Sequence, residues 1–218
     1  DDANPDIHPG QAEVFGNDLD DDCDPTTEDQ IVCEFKPDPA LAVGEPPALA
    51  GVTAHHNQWR ALVGVAPVRW DPRLAASAQA WADKCTFAHS TDRSNVAGYP
   101  YVGENVAWAS PASAYPDPLQ LVEGWANERA QYVHGALIST DTLASSGHYT
   151  QMVWQGTTAI GCGFQTCGNA SYLVCHYGPG GNYVSQLPYP SATGPCLDQD
   201  GDDVLQGQDP DDTNASLR

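Results

Sequence analysis

The sequence predicts an α+β fold, and two observations carry that prediction. Apolar residues recur at helical spacing from about residue 55 to 135, and beyond residue 147 the period shortens to two. Helices followed by a small antiparallel sheet is the order of a sheet covered by helices. The stretch "HHNQWRALVG" reads as a first helix ending near Gly64. In "DPRLAASAQAWADKC", Asp71 is placed to cap a second helix and Pro72 suits its first turn. Leu74, Ala78, Trp81 or Ala82, and Cys85 make the core face of that helix. A third helix, "DPLQLVEGWANERAQYV", opens the same way on Asp117 and Pro118 and is expected to stop near Gly135.

Leu121, Trp125, Glu128 and Tyr132 fall on one stripe of this third helix, at spacings of four, three and four. Three of them favour burial, so the carboxylate of Glu128 is the anomaly, whereas Glu123 reads as an ordinary surface acid. Past the third helix, "HYTQMVW", "AIGCGF" and "SYLVCHY" read as short strands, rich in β-branched and aromatic residues. The Cys167 to Ala170 turn joins the last two into a hairpin centred near residue 168 or 169. That register sets Cys162 opposite Cys175.

Composition divides the chain into an acidic extension (1–48), a periodic domain (49–190) and a second acidic extension (191–218). The net charge of −21 sits mainly at the ends: residues 1–40 hold thirteen acids and one base, and 196–218 seven acids and one base. The middle, 41–195, is nearly balanced, with nine acids and six bases. Such acidity argues against nucleic acid as a partner. No apolar run approaches the ~18 residues of a membrane span. Seven cysteines outside any CxxC pairing suggest an oxidising, extracellular compartment rather than structural zinc. The expectation is a secreted chain from which any signal peptide has been removed. The two N-glycosylation sequons, at Asn169 and Asn214, would matter only in a eukaryotic secretory pathway.

"GHYTQMVWQGT", Gly147 to Thr157, and "YLVCHYGPGGNY", Tyr172 to Tyr183, resemble the two signature motifs of the CAP superfamily. This group holds cysteine-rich secretory proteins, antigen 5 and plant pathogenesis-related 1 proteins. "HNQWR" from His56, "RWDPRLAASAQAWADKC" and "GENVAW" from Gly103 resemble further family blocks in the same order. The resemblance covers roughly residues 50–190. It implies an α–β–α sandwich with a three-stranded antiparallel sheet between helical layers. It also implies a cleft lined by His89, Glu104, Glu128 and His148, each occupied here by the expected residue type.

Within that cleft, two imidazoles suit Zn²⁺ or a similar divalent metal, with Glu104 and Glu128 as outer-shell groups. His8, His55, His56, His134 and His176 are expected to be structural or exposed. The family pattern pairs Cys85 with Cys167 and Cys162 with Cys175, the second pair agreeing with the hairpin register. A third bridge of plant members has no cysteine here, so the stretch from Val106 to Pro116 reads as a long loop held by packing alone. Cys23, Cys33 and Cys196 lie outside the domain, and three pairings among them stay open.

The acidic ends resemble the Ca²⁺ loops of thrombospondin type 3 repeats and of bacterial Asp-rich repeats. Candidate Ca²⁺ ligands are Asp18, Asp20, Asp22 and Asp24, then Asp198, Asp200, Asp202 and Asp209. Function then divides among binding, turnover and an extracellular structural or effector role in which the cleft only stabilises the fold. As a binding module, the chain would take a lipid, a sterol or an extracellular protein, with Tyr99, Tyr101, Trp108 and Tyr115 as candidate groove residues. As a metal-dependent hydrolase or protease, it would use Glu104 or Glu128 as general base. Ser145 or Ser146 beside His148 is a weaker nucleophile candidate, since no nucleophile-elbow pattern surrounds it.

Overall fold

The computed structural model describes residues 35–190 and Leu197. The candidate Ca²⁺ ligands at both ends, together with His8, Cys23, Cys33 and Cys196, lie outside the described residues. Helix α1 (Val52–Leu62) opens without a side-chain cap of its own. Glu45 supplies one from upstream, its Oε1 accepting the Thr53 N–H at 2.9 Å. The segment 39–48, placed with the N-terminal extension by composition, therefore lies against the domain, and Leu49 is fully in the core. A two-residue strand β1 (Arg69–Trp70) leads into α2 (Pro72–Ala82), where Asp71 accepts the Arg73 N–H as its cap.

After α2 come two short paired strands, β2 (Ser94–Val96) and β3 (Tyr99–Tyr101). Then follow β4 (Gly103–Ala109), α3 (Pro118–Ala126), α4 (Thr140–Met152), β5 (Ala159–Cys167) and β6 (Ala170–Gly178). The main sheet has the order β1-β5-β6-β4. Its β5, β6 and β4 form the expected antiparallel trio, and β1 adds a short parallel edge to β5. Helix α2 covers one face through Ala78 and Ala82 against Val106 and Val174. The other face packs Val52 of α1, Leu121 and Trp125 of α3, and Met152 of α4 onto Ile160, Leu173 and Tyr177. This is the α–β–α sandwich. Glycine lets α2 come close: a Cβ on Gly161 would collide with the backbone of Ala75 and Asp71, and one on Gly163 with Gln79.

Four sequence expectations are corrected. "HYTQMVW" is helical as far as Met152, because tertiary packing overrides the weak strand preference of its residues. The third antiparallel strand is instead "GENVAWA", so the first four residues of the supposed loop, Val106 to Ala109, are sheet and 110–117 is the connection. Helix α3 ends at Ala126, and the chain continues as a 3₁₀ turn, Asn127–Gln131, that carries Glu128. Cys85 lies past the end of α2 in a left-handed conformation (φ 54°) and is exposed. It still bonds Cys167, tying α2 to the hairpin tip, while Cys162 bonds Cys175 across β5 and β6.

Candidate functional site

The β4–β6 register sets Glu104 directly opposite His176. Both are buried, and His176 Nε2 lies 2.9 Å from Glu104 Oε2. The other carboxylate oxygen, Oε1, takes the Ser90 N–H at 2.8 Å and His89 Nδ1 at 2.8 Å. Burial alone would raise the Glu104 carboxyl. The hydrogen bonds from His176, His89 and the Ser90 amide outweigh it and hold the group well below the usual carboxylate range. Glu104 is thus a buried anion clamped between two imidazoles. His89 stands at the outer end of the clamp, its side chain 57% exposed against 0% for Glu104.

A second histidine–carboxylate pair forms at a break in α4. Ser146 has non-helical angles (φ −143°, ψ 21°), which interrupts the hydrogen-bond ladder and frees the amides that follow. Glu128 Oε2 accepts the N–H of His148 at 2.8 Å and of Tyr149 at 3.3 Å. Its Oε1 lies 2.6 Å from His148 Nδ1. Trp125 stacks on the His148 ring at 5.9 Å between centroids, and Asn105 Nδ2 donates to the His148 carbonyl at 3.0 Å. Asn182, in the second signature motif, braces the break by donating to the Gly147 carbonyl at 2.7 Å and accepting from the Thr150 hydroxyl at 2.8 Å.

His89, Glu104 and His148 line one cleft of about 310 Å³, together with Arg93, Tyr101 and Gln151. Glu128 does not line it. It belongs to a second, aromatic recess of about 450 Å³ with Phe87, Trp108, Tyr115, Leu121 and Trp125, and His148 lines both. The four residues named from sequence are therefore brought together as two pairs, with His148 in the wall between two recesses. The three candidate tyrosines and the tryptophan separate as well: Trp108 and Tyr115 line the aromatic recess, Tyr101 lines the polar cleft, and Tyr99 packs beside Leu74, Val102 and Ala159.

In each pair a ring Nδ1 faces a carboxylate, which as an anion can only accept, so Nδ1 carries the proton and Nε2 remains for a ligand. That donor set suits a borderline divalent metal such as Zn²⁺. Among the described residues, no group of three or more His, Cys, Asp or Glu side chains is placed to hold a metal directly. The protein would thus contribute the two imidazoles, and water or a bound ligand the remaining positions.

His176, expected to be structural or exposed, is buried and serves as the inner partner of Glu104, a contact that only the β4–β6 register sets. His56 is fully buried, its Nδ1 2.8 Å from the Val52 carbonyl and its Nε2 3.0 Å from the Tyr177 hydroxyl, a structural role as expected. Glu123 is not a lone surface acid: its Oε2 lies 2.7 Å from His55 Nε2.

Comparisons with known proteins identify the family of this fold. Residues 53–177 match the sequence profile of the CAP group, described as the cysteine-rich secretory protein family. The chain belongs to this family. It is 42% identical over 125 residues to venom allergen 5 of Vespula flavopilosa, covering 55% of this chain and 60% of that protein. It is 38% identical over 139 residues to pathogenesis-related protein 1 of Arabidopsis thaliana, covering 62% and 78%. Among solved structures it resembles one titled "Crystal structure of NaASP2 with Zn2+", with a TM-score of 0.57, 26% identity, and 73% and 92% of the two chains covered. It resembles BmVAL-1 with the same TM-score, 0.57, and 25% identity, covering 71% and 87%. The chain spans about 60% of the length of the wasp allergens it matches. Among the described residues no helix is long and apolar enough to cross a membrane.

Proposed function

We propose that this is an extracellular ligand-binding CAP protein whose polar cleft holds a divalent metal on His89 and His148. The observation that carries the reading is the matched pair of clamps. Two rings from distant elements line one cleft, and each has its Nδ1 tied to a carboxylate. Such a carboxylate orients a ligating imidazole and raises its basicity. The solved relative NaASP2, described with Zn²⁺, supports the same reading. When bound, the metal would act as a Lewis acid or as an anchor for a ligand atom.

Binding fits this chain better than turnover. A general base must be free to take a proton. Glu104 already accepts three N–H groups on a fully buried side chain, and Glu128 also accepts three. The adjoining aromatic recess fits an apolar ligand such as a lipid or sterol, because Phe87, Trp108 and Tyr115 stand 65%, 47% and 37% exposed around it.

Calorimetric titration with Zn²⁺ tests the metal reading. The wild-type chain is expected to bind one ion that the His89→Ala and His148→Ala variants, shown to be folded by circular dichroism, each lose. Equal stoichiometry and affinity in the double variant would overturn the assignment.

A further inference from the structure

The polar cleft contains one charged side chain that the metal reading leaves unused, Arg93. It lines the cleft beside His89, and its guanidinium carbon lies 5.5 Å from the centre of the Tyr101 ring, which lines the cleft too. Among the described residues no carboxylate forms an ion pair with Arg93.

The groups around Arg93 are already engaged. Glu104, the acid lining this cleft, has both oxygens taken by His89, His176 and the Ser90 amide. Gln151 accepts the Gly181 N–H and lies beside Thr157, while Asn182 is spent on Thr150 and Gly147. Stacking on Tyr101 orients the guanidinium by its quadrupole without neutralising it. What remains is a planar fork of N–H donors with a full positive charge at the wall of a cleft. That fork matches the two oxygens of a carboxylate or phosphate.

We propose that the cleft takes a small oxyanionic ligand, a carboxylate or a phosphate, which Arg93 grips against the Tyr101 face. A volume of about 310 Å³ restricts it to a small molecule or to the end group of a larger one. The proposal deepens the cleft reading: a divalent metal on His89 and His148 supplies a second positive centre for the same anion. The grip of Arg93 itself needs no metal.

The test uses the full chain. Chelator-treated protein is titrated with inorganic phosphate and, separately, with succinate, following the Arg93 Nε–H and His89 ring resonances by NMR. Wild type is expected to saturate, and the tighter of the two anions identifies the ligand class. Arg93→Gln is expected to weaken binding about tenfold or more, and Arg93→Lys to retain part of it as a point charge. No saturation in wild type, or equal binding by Arg93→Gln with an unchanged melting temperature, would overturn the proposal. Repeating the succinate titration with Zn²⁺ separates the two readings. Zinc tightening that disappears in the His89→Ala/His148→Ala double variant supports both. Arg93-dependent binding without any zinc effect removes the metal and leaves the anion site standing.

Discussion

Arg60 and Glu104 are both buried charges, yet the protein encloses them in opposite ways. Arg60 is wholly inside, and every partner is a neutral carbonyl. Its Nε donates to Ala66 at 2.8 Å, Nη1 to Met152 at 2.9 Å and Trp154 at 3.0 Å, and Nη2 to Thr157 at 2.9 Å. Burial holds the guanidinium down to about 10, still a cation at neutral pH. Glu104 meets two imidazoles, one of which opens onto a cleft. The difference teaches that a buried charge does not by itself mark a site. Arg60 staples α1 to the end of α4 and the turn after it, closing loop carbonyls that would otherwise be orphaned. Glu104 passes its charge to groups that can change their ligands.

The largest expected effect breaks the closed side of that comparison. Arg60→Ala removes four hydrogen bonds and leaves the buried carbonyls of Met152 and Thr157 without the guanidinium donor, while that of Trp154 keeps the Thr157 N–H. It is expected to cost about 3–5 kcal/mol by urea denaturation, since each buried group left unsatisfied costs about 1–3 kcal/mol. A loss under about 1 kcal/mol would mean that the staple is redundant.

The pH dependence probes the neutral neighbour of these charges. Burial pushes His56 from 6.5 down to about 3, so it stays neutral in the folded protein while the unfolded chain takes up a proton. Stability from this group is complete above pH 6.5 and falls by about 1.4 kcal/mol per pH unit down toward pH 3. Glu104, whose folded value is lowered, adds its own loss only as pH drops below the ordinary carboxylate range. Urea midpoints should fall accordingly between pH 7 and 4.5, and His56→Gln should flatten the upper part of that pH dependence. An unchanged slope in that variant would assign the titration to another group.

Glu104→Gln sharpens the open side. Its amide keeps the volume but presents N–H to a ring N–H, which should cost about 1–3 kcal/mol of stability. It should also lower zinc affinity 10–100-fold. Stability loss with unaltered zinc binding would make Glu104 as purely structural as Arg60. The smallest effect is expected at the rim. Glu123→Gln breaks the pair with His55, which is 22% exposed on one side and 42% on the other, and should cost at most about 1 kcal/mol.

The second helix and the opening of the third were legible because a cap and a repeat of apolar side chains are written within a dozen residues, and the first because its end is marked by Gly64. Asp71, Pro72 and Asp117 do in the structure what their positions predict. The end of the third helix was not, since nothing local in "NERAQY" announces a 3₁₀ turn that must deliver Glu128 to His148. "GHYTQMVW" misled because its β-branched and aromatic residues suit either state, and only the Ser146 break and the grip of Glu128 and Asn182 settle it as helix. "GENVAWA" hid a strand behind a glycine, a glutamate and an asparagine, all poor strand formers.

The sequence by itself determined the class of fold, the hairpin register that joins Cys162 to Cys175, and the residue types of the cleft. Only the tertiary structure decided which of those residues touch. The contacts that make the site join positions 15, 20 and 72 apart along the chain, in the pairs His89–Glu104, Glu128–His148 and Glu104–His176. Periodicity and capping report energies between near neighbours. Contacts at such separations depend on strand pairing and helix packing, whose energies are set by surfaces that meet only when the chain has closed on itself.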